Sequence, residues 1–534
     1  MSKLMSMSNG LCFWVIPIGA NIGASVSDAS KAAWLLPTWN LCAVVGFLAL
    51  GTQTDLFGRK VFIVGGSLLV TVGYVVMAST PNVGGLQAGM VVLSVGAACV
   101  QFANFTVGEL LPNKWRHIGV VMSDYPTTFA TLLGPVAARV SLANGTWRWM
   151  FGVPAILEFL CFAGLAVWYH PPRHPRGVDL RQGLRDMDYT AGIVLFSLGV
   201  VLSSMGLVYV GLLPSSDPHV IAFLTIGFSL VILFALWETF GNPRYAIAPP
   251  RLFKLAKGRA VTFPLVACAM INMTYFSCSI IWPTMISVYY TKPEDWRYAN
   301  VLSLSQGLGI GFGAILLSIL GRRIKHWNWQ LTIATTIMVA FGAITGGLGA
   351  HRRKATMVAF TCVTNIAYAW AIYLAVAVAQ LGGPQHELGV LGGLTGAFRA
   401  GGGVIASSVY GSILSTGLKS YQRNNIPEAA RAAGLPNSQI PRLLSTVGTA
   451  DFSSSFSNAV VAAVESVIVS SYTFSLRLLA FSSIGFGVVG IIACALTLDI
   501  NQKMNDRIEV RMEKEPKDHP QNSSKQIEGA STTV

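Results

Sequence analysis

The strongest constraint on this chain is a succession of apolar stretches of about twenty residues, separated by short polar or charged breaks. Hydrophobic residues fill 53% of the 534 positions and charged residues only 11%, far below the roughly one quarter typical of soluble domains. In a lipid bilayer every backbone polar group must be paired within the chain, so each such stretch predicts a membrane-spanning helix. The sequence therefore predicts an all-α membrane protein.

The hydropathy pattern predicts about fourteen spans. Six form a first bundle, two stand in the middle, and six form a second bundle. We interpret the first span as a helix and not as a cleaved signal peptide, because no cleavage context follows it. The predicted spans cover residues 10–27, 33–52, 61–78, 86–108, 118–141, 149–169, 189–211, 219–238, 261–289, 299–320, 329–349, 355–380, 388–415 and 474–497.

This grouping predicts the domain organisation. A long break rich in Ser, Asn and Ala at 417–473 is expected to be an external loop with short helices, and the charged chain end is expected to be a disordered cytoplasmic tail. The divisions are the first bundle 1–170, a cytoplasmic linker 171–188, two additional helices 189–238, a cytoplasmic loop 239–260, the second bundle 261–498 and the tail 499–534.

The net charge of +14 suggests either nucleic-acid binding or membrane topology. Lys and Arg lie in the breaks between spans and not on one face, so the charge fits the positive-inside rule and no nucleic-acid partner is predicted. If the N-terminus lies in the cytoplasm, the basic residues 351–354 fall on the external side of the membrane. Either they are an exception to the positive-inside rule or one span is miscounted. The eight cysteines lie in apolar stretches without a CxxC pattern, so they are interpreted as small apolar side chains and no metal site is predicted.

The break after the second span carries the most specific motif, in which glycines permit a tight turn and a carboxylate precedes a basic pair. Its residues are Gly51, Asp55, Gly58, Arg59 and Lys60. It resembles the signature loop of the major facilitator superfamily, and the alternative is a plain basic inner loop. The resemblance implies two six-helix bundles, here with two extra central helices, and a loop that clamps the cytoplasmic face through charge and helix-dipole contacts.

Two further motifs support that resemblance. Gly321-Arg322-Arg323 repeats the basic loop weakly in the second bundle, as a parallel structural repeat would. Gly134-Pro135 in the fifth span resembles the motif associated with antiporters, where the pair can bend a helix and seal the outward side. The alternative for the second motif is an ordinary proline in a membrane helix.

A closer resemblance, covering nearly the whole chain, is to the fungal trichothecene efflux pump family. That family is similar in architecture to fourteen-helix drug–proton antiporters and siderophore transporters. One departure is the fourth span, which offers Gln101 and Asn104 where many proton-coupled drug exporters carry Arg. The resemblance rests on Gly108-Glu109-Leu-Leu-Pro112, Trp147-Arg148-Trp149, Tyr169-His170-Pro171-Pro172, Ala432-Ala433-Gly434-Leu435-Pro436 and Gly396-Ala-Phe-Arg399.

Ionisable residues inside spans are costly and indicate function by default. Asp124 and Glu158 are candidates for proton coupling, with a paired or pocket-lining carboxylate as the alternative for each. Glu109 and Arg116 are expected to form an ion pair at the cytoplasmic mouth. Side chains that combine hydrogen bonding with aromatic surface suit an amphipathic ligand, or equally ordinary helix packing. The candidate pocket comprises Gln101, Asn104, Asn272, Tyr275, Trp282, Asn365 and Arg399.

Together these features predict a secondary transporter that exports small lipophilic compounds by alternating access. The proton gradient is its expected energy source, and no cofactor is expected. Its partners are the bilayer, protons and substrate, and it is expected to be a monomer in the plasma membrane. Siderophore–iron import is the main alternative, and a transport-dead nutrient sensor ranks below it. The chain contains no HExxH, GxSxG or P-loop motif, so we predict that it is not an enzyme.

Overall fold

The computed structural model describes residues 4–8, 10–12, 35–103, 111–170, 188, 190–212, 217–241, 243, 245–292, 295–348, 353–447 and 452–506. Every regular element in these ranges is helical, as the apolar spans predict. Of the first predicted span, 10–27, only residues 10–12 are described; they are helical, as are residues 4–8 before them. The remaining helices of the first bundle are α1 (Leu35–Phe57), α2 (Arg59–Ser79), α3 (Val83–Gln101), α4 (Arg116–Ala143) and α5 (Trp149–Trp168).

The middle of the chain forms a helical pair, in which the π-helical segment Thr190–Leu198 continues into α6 (Gly199–Leu212) and α7 (Pro218–Phe240) follows. Six long helices then form the second bundle. They are α8 (Thr262–Met285), α9 (Trp296–Ile324), α10 (Trp327–Leu348), α11 (Lys354–Gly382), α12 (Leu388–Ala432) and α13 (Asn458–Leu496).

Eleven helices within the described ranges are long and apolar enough to cross a membrane. Helix α4 is not among them because Asp124 and several hydroxyl side chains lower its hydropathy, but its 28 residues span about 42 Å. Helix α7 buries only 17% of its apolar window, whereas α11 buries 78%. We therefore place α7 against lipid and α11 at the centre of the second bundle.

The two bundles meet along α1 and α12 and along α4 and α9. At the first contact, a Cβ atom on Gly393 would lie 2.5 Å from the Phe47 carbonyl oxygen. At the second, a Cβ atom on Gly307 would lie 2.7 Å from the Leu132 Cα. Glycine is needed at both positions because the helix backbones approach too closely for any side chain.

The external break differs from the predicted loop at 417–473. Helix α12 continues to Ala432 and α13 begins at Asn458, so much of the predicted loop belongs to these two long helices. The connection between them contains the short helix Ile440–Thr446. The two extensions and the connection between them pack together through Ile426, Ala430, Leu443, Phe452 and Val464. Hydropathy reports the cost of crossing lipid and not helix formation in water, so it ended α12 too early and began α13 too late.

The predicted tail also needs correction at its start. Residues Asn501–Lys503 form a 3₁₀ turn and the chain is described to Asp506, whereas disorder was predicted from residue 499. Contacts to both bundles hold this segment, as detailed below. Residues 507–534, 351–352 and most of the linker 171–188 lie outside the described ranges, and the domain boundaries remain predictions.

Candidate functional site

The signature loop brings Asp55 to the first turn of α12. Asp55 is fully buried; its Oδ1 accepts a hydrogen bond from the Gly389 N–H at 2.9 Å and its Oδ2 one from the Val390 N–H at 3.1 Å. The first N–H groups of a helix have no partner within it, and their partial positive charge favours an anion. Asp55 of the first bundle thus caps a helix of the second.

The other signature residues shape this contact. Gly58 joins α1 to α2 with φ of 81°, a conformation that glycine adopts without strain. The Arg59 guanidinium lies 3.8 Å from the Asp55 carboxylate, and Lys60 is half-buried beside it. Gly51 packs against Gly389, since a Cβ atom there would lie 3.0 Å from the Gly389 carbonyl oxygen.

Further contacts between the bundles surround this cap. The buried Arg116 guanidinium donates to Asn113 Oδ1 at 2.7 Å and to Gln385 Oε1 at 2.9 Å. Its predicted partner Glu109 lies outside the described residues, so that ion pair remains a prediction. The Arg322 guanidinium of α9 stacks on the Trp115 ring just before α4, at 4.7 Å from its centroid. Arg116 therefore joins the first bundle to the loop that precedes α12.

A strap formed by residues Asn501–Asp506 adds contacts that the sequence did not predict. The Lys503 ammonium donates to the Leu381 and Gly382 carbonyl oxygens, both at 2.9 Å, at the C-terminal end of α11. The Lys114 N–H donates to the Asn505 carbonyl oxygen at 2.9 Å, and the Lys114 side chain pairs with Asp506. The strap therefore links the first bundle to the end of α11.

Together these contacts form what we call the cytoplasmic seal, defined by the Asp55 cap, the Arg116 bonds and the strap. All of its members lie at the helix ends that the positive-inside rule assigns to the cytoplasm. The bundles are therefore in contact on that side, in the arrangement expected for a transporter that is closed to the cytoplasm.

A second constellation lies deeper, where Asp124 of α4 faces Arg399 of α12. The Arg399 Nη2 and Asp124 Oδ2 atoms are 4.0 Å apart, and Asp124 Oδ1 accepts a hydrogen bond from the Thr127 hydroxyl at 3.1 Å. Helical rise places the two residues about 12 and 17 Å from the cytoplasmic ends of their helices. This is a charge pair between the two bundles, near the middle of the membrane.

Polar and aromatic side chains of the second bundle continue from that pair. Asn272 Nδ2 donates to the Arg399 carbonyl oxygen at 2.7 Å, and the Tyr368 hydroxyl donates to Asn272 Oδ1 at 3.3 Å. The Tyr275 and Tyr368 rings stack with centroids 4.1 Å apart and planes inclined by 14°. We call Asp124, Asn272, Tyr275, Tyr368 and Arg399 the central cluster.

The central cluster contains four residues predicted from the sequence and one, Tyr368, that was not singled out. Tyr368 lies one turn after the predicted Asn365 in a stretch of mixed polar and aromatic residues. That one-turn spacing was the available signal, because it places the two side chains on the same face of α11.

The remaining candidate pocket residues lie elsewhere. The buried Trp282 donates from Nε1 to the Leu302 carbonyl oxygen at 3.2 Å and joins α8 to α9. Asn365 Nδ2 donates to the Thr361 carbonyl oxygen at 2.8 Å within α11. Gln101 is buried at the end of α3, and Asn104 lies outside the described residues. Trp282 and Asn365 thus take part in helix packing here.

Glu158 occupies a separate position inside the first bundle. Its side chain is fully buried and accepts hydrogen bonds from the Ser8 hydroxyl and, at 2.5 Å, from the Ser67 hydroxyl. Its second oxygen has no partner among the described residues. Unlike Asp124, this carboxylate is hydrogen-bonded to first-bundle residues only, within the described part of the chain, so it stabilises packing inside one bundle.

The Gly134-Pro135 motif lies within α4, which remains one helix through both Pro126 and Pro135. Pro135 has no N–H to donate to the preceding turn, so the helix is weakened there. Gly307 of α9 contacts Leu132 just before the motif. The motif therefore lies beside the contact between the two bundles.

Comparisons with known proteins agree with this architecture. The family profile described as "Fungal trichothecene efflux pump (TRI12)" matches residues 15–533. The MFS-type transporter prx5 of Penicillium rubens is 38% identical over 95% of this chain and 92% of its own length. The trichothecene efflux pump TRI12 of Fusarium sporotrichioides is 24% identical over 91% and 83%.

A more distant relative and a solved structure complete the comparison. The MFS siderochrome iron transporter B of Aspergillus fumigatus is 24% identical over 86% of this chain and 75% of its own length. Among solved structures, the POT family transporter PepTSo superposes with a TM-score of 0.56 at 14% identity, covering 94% of this chain and 98% of that one. At that identity the likeness establishes the fold alone, a major facilitator fold.

Proposed function

Because the chain belongs to the fungal trichothecene efflux pump family of membrane transporters, we propose that it exports small lipophilic compounds in exchange for protons. The observation that carries this proposal is the Asp124–Arg399 pair, which joins the two bundles near mid-membrane. Members of such a family are transporters and not enzymes. The energy source is the proton gradient, without a bound cofactor.

Asp124 is the coupling carboxylate in this proposal. When ionised, it attracts Arg399 and holds α4 against α12; when it takes up a proton, that attraction is lost and the bundles can separate. Uptake from the outside and release to the cytoplasm then drive the change of access. Glu158 is the weaker candidate, because its hydrogen bonds with Ser8 and Ser67 remain inside the first bundle.

The central cluster also suits the proposed substrates. The stacked Tyr275 and Tyr368 rings offer apolar surface, and Asn272 and Arg399 supply a few directed hydrogen-bonding groups. Pockets for amphipathic small molecules combine these two properties. Mycotoxins, drugs and other compounds with a hydrophobic frame and scattered oxygen atoms are the substrate class that we propose.

The test is substrate retention in yeast lacking its main drug exporters, measured with a trichothecene and a panel of lipophilic toxins. Expression of the wild type is expected to lower retention, and a protonophore is expected to restore it. Asp124→Asn is expected to abolish the effect, whereas Glu158→Gln retains it. Unchanged retention with the wild type would refute export, and loss of activity only in the Glu158 variant would transfer coupling to that residue.

Siderophore import is the second candidate, favoured by the similarity to a siderochrome iron transporter. Growth of an iron-uptake-deficient yeast on ferric siderophores separates the two functions. We further propose that the protein acts as a monomer in the plasma membrane, and imaging of a tagged chain distinguishes that membrane from the vacuolar one.

A further inference from the structure

The outer surface of the second bundle contains an apolar groove of about 570 Å³ between α9, α10 and α11. Its walls are open to the surroundings of the bundle, since Trp329 is 61% and Ile333 55% exposed. In a membrane these side chains face lipid. The apolar lining includes Leu316, Ile324, Ile333, Ile337, Val363 and Ile366.

The groove has the length of one lipid tail. Along α10, the lining extends from Lys325 and His326 to Ile337, which corresponds to about 18 Å at helical rise. Half of the hydrocarbon core measures about 15 Å. The basic end lies on the cytoplasmic side in the topology derived above, so the groove covers the depth of the cytoplasmic leaflet.

The cytoplasmic mouth is strongly basic. Lys325 and His326 line it and are both exposed, and Arg323 is exposed next to them. Residues 296–386 contain no Asp or Glu, and neither Lys325 nor His326 has an acidic ion-pair partner among the described residues. An anionic group bound here would therefore gain attraction without displacing an existing partner.

Two residues of the groove lining, Gln330 and Trp370, each carry a buried polar atom without a hydrogen-bond partner in the described part of the chain. Gln330 is only 6% exposed; its Nε2 donates to the Gly321 and Lys325 carbonyl oxygens at 2.8 and 2.7 Å, while its Oε1 has no partner in the described part of the chain. The Trp370 Nε1 donor is likewise buried and unpaired there. Both atoms are shielded from the groove, so the surface that a bound molecule meets there is apolar and suits a hydrocarbon tail.

We propose that this groove binds one anionic glycerophospholipid of the cytoplasmic leaflet. A tail fills the apolar channel, and the phosphate lies between Lys325 and His326. The site is distinct from the central cluster, because Ile366 and Trp370 lie on the face of α11 opposite to Tyr368.

Native mass spectrometry of the delipidated full-length protein tests the proposal, with phosphatidylserine and phosphatidylcholine of identical chains as probes. One phosphatidylserine is expected to bind more tightly than phosphatidylcholine. Lys325→Gln is expected to weaken its binding about fivefold, the contribution of one cation near a lipid headgroup. Ile333→Trp, at an exposed position, is expected to displace the tail without disturbing the protein core.

The chain offers a matched control for each variant. Lys257→Gln removes another exposed cytoplasmic lysine, and Ile319→Trp enlarges an equally exposed side chain of α9 outside the groove; both are expected to bind lipid as the wild type does. Equal binding of the two lipids, or equal effects of variants and controls, would overturn the proposal. Competitive displacement of phosphatidylserine by a transported compound would also overturn it, and would identify the groove as a substrate entrance.

Discussion

At the scale of single residues, the cytoplasmic seal depends most on Asp55. Its two oxygens accept one backbone N–H each from the first turn of α12, and the residue is entirely buried. Charge-assisted hydrogen bonds of this kind are about twice as strong as neutral ones. A buried carboxylate would be costly without them, so its stability depends on the two bundles being in contact.

Replacement of Asp55 by Asn is expected to favour opening of the cytoplasmic side. The amide can accept with only one oxygen and carries no charge, so at least one hydrogen bond to a charged group, worth about 1.5–3 kcal/mol, is lost. The equilibrium between sealed and open states should shift about tenfold or more. Distances between spin labels at the exposed Val61 and Ile324, at cytoplasmic helix ends of the two bundles, measure that shift.

Asp217→Asn is the matched control for this measurement. Asp217 also caps a helix, accepting from the His219 N–H at 2.9 Å at the start of α7, but it takes no part in the seal. Its replacement is expected to leave the label distances unchanged. Identical distance distributions for the Asp55 variant and the wild type would contradict the role assigned to Asp55.

At the scale of elements, the contact of α1 with α12 is controlled by glycine. Gly51, Gly389 and Gly393 allow the two backbones to touch, which positions Asp55 at the N-terminus of α12. The same helix also contains Gly401, around which a Cβ atom would meet nothing within 4 Å. The backbone contact with α1 lies in the cytoplasmic part of α12, whereas Gly402 further along packs against α8, where a Cβ atom would clash with the Ala269 carbonyl oxygen.

Gly393→Ala is expected to destabilise the sealed state by about 1–3 kcal/mol, the usual cost of overpacking. Its Cβ atom would lie 2.5 Å from the Phe47 carbonyl oxygen and 2.9 Å from the Gly51 Cα. Gly401→Ala makes the same chemical change in open space and should leave the seal intact. The spin-label distances again provide the measurement; an equal response to both substitutions would show that helix propensity, and not close packing, is responsible.

The external extensions of α12 and α13 form a second kind of element, a small core outside the membrane. Leu443 is fully buried in it, whereas its neighbour Leu444 is 43% exposed. Leu443→Ala is expected to cost about 2–5 kcal/mol locally, and Leu444→Ala much less. Hydrogen exchange over residues 426–464 measures the difference. Equal protection in both variants would mean that the extensions are not stabilised by this core.

At the scale of the whole molecule, cytoplasmic closure depends on several contacts far apart in the chain. The Asp55 cap, the Arg116–Gln385 bond and the Lys503 bonds of the strap all join segments separated by more than a hundred residues. Each contact contributes only a part of the free energy that holds the cytoplasmic side closed. A change of access therefore requires all of them to open together. Such a set gives a two-state element that ligand and proton can bias.

Lys503→Gln is expected to loosen the strap. The Lys503 ammonium donates to two carbonyl oxygens at the C-terminal end of α11, where a cation is favoured by about 0.3–1 kcal/mol. Loss of the charge should shift the spin-label equilibrium towards the open state about twofold to fivefold. Lys419→Gln, at an exposed position on the external side, should have no effect. If truncation after Leu498 also changes nothing, the strap has no part in closure.

The sequence alone was sufficient for the fold class, the family and the transporter assignment, because apolar stretches of fixed length reflect the cost of crossing a bilayer. The signature loop and Asp124, Asn272, Tyr275 and Arg399 could be named as candidates, since polar residues inside spans are costly unless they have a role. Substrate, coupling and cellular membrane remain predictions.

Only the tertiary structure decided which candidates meet. Asp124 and Arg399 lie in different bundles, and nothing in local periodicity indicates that they pair, whereas Glu158 turns towards Ser67 within its own bundle. The strap and the external core were missed because their stability comes from long-range packing of polar and helical segments, which hydropathy does not measure. That the chain forms membrane-spanning helices thus follows from the chemistry of each segment, but the site follows from how distant helices pack.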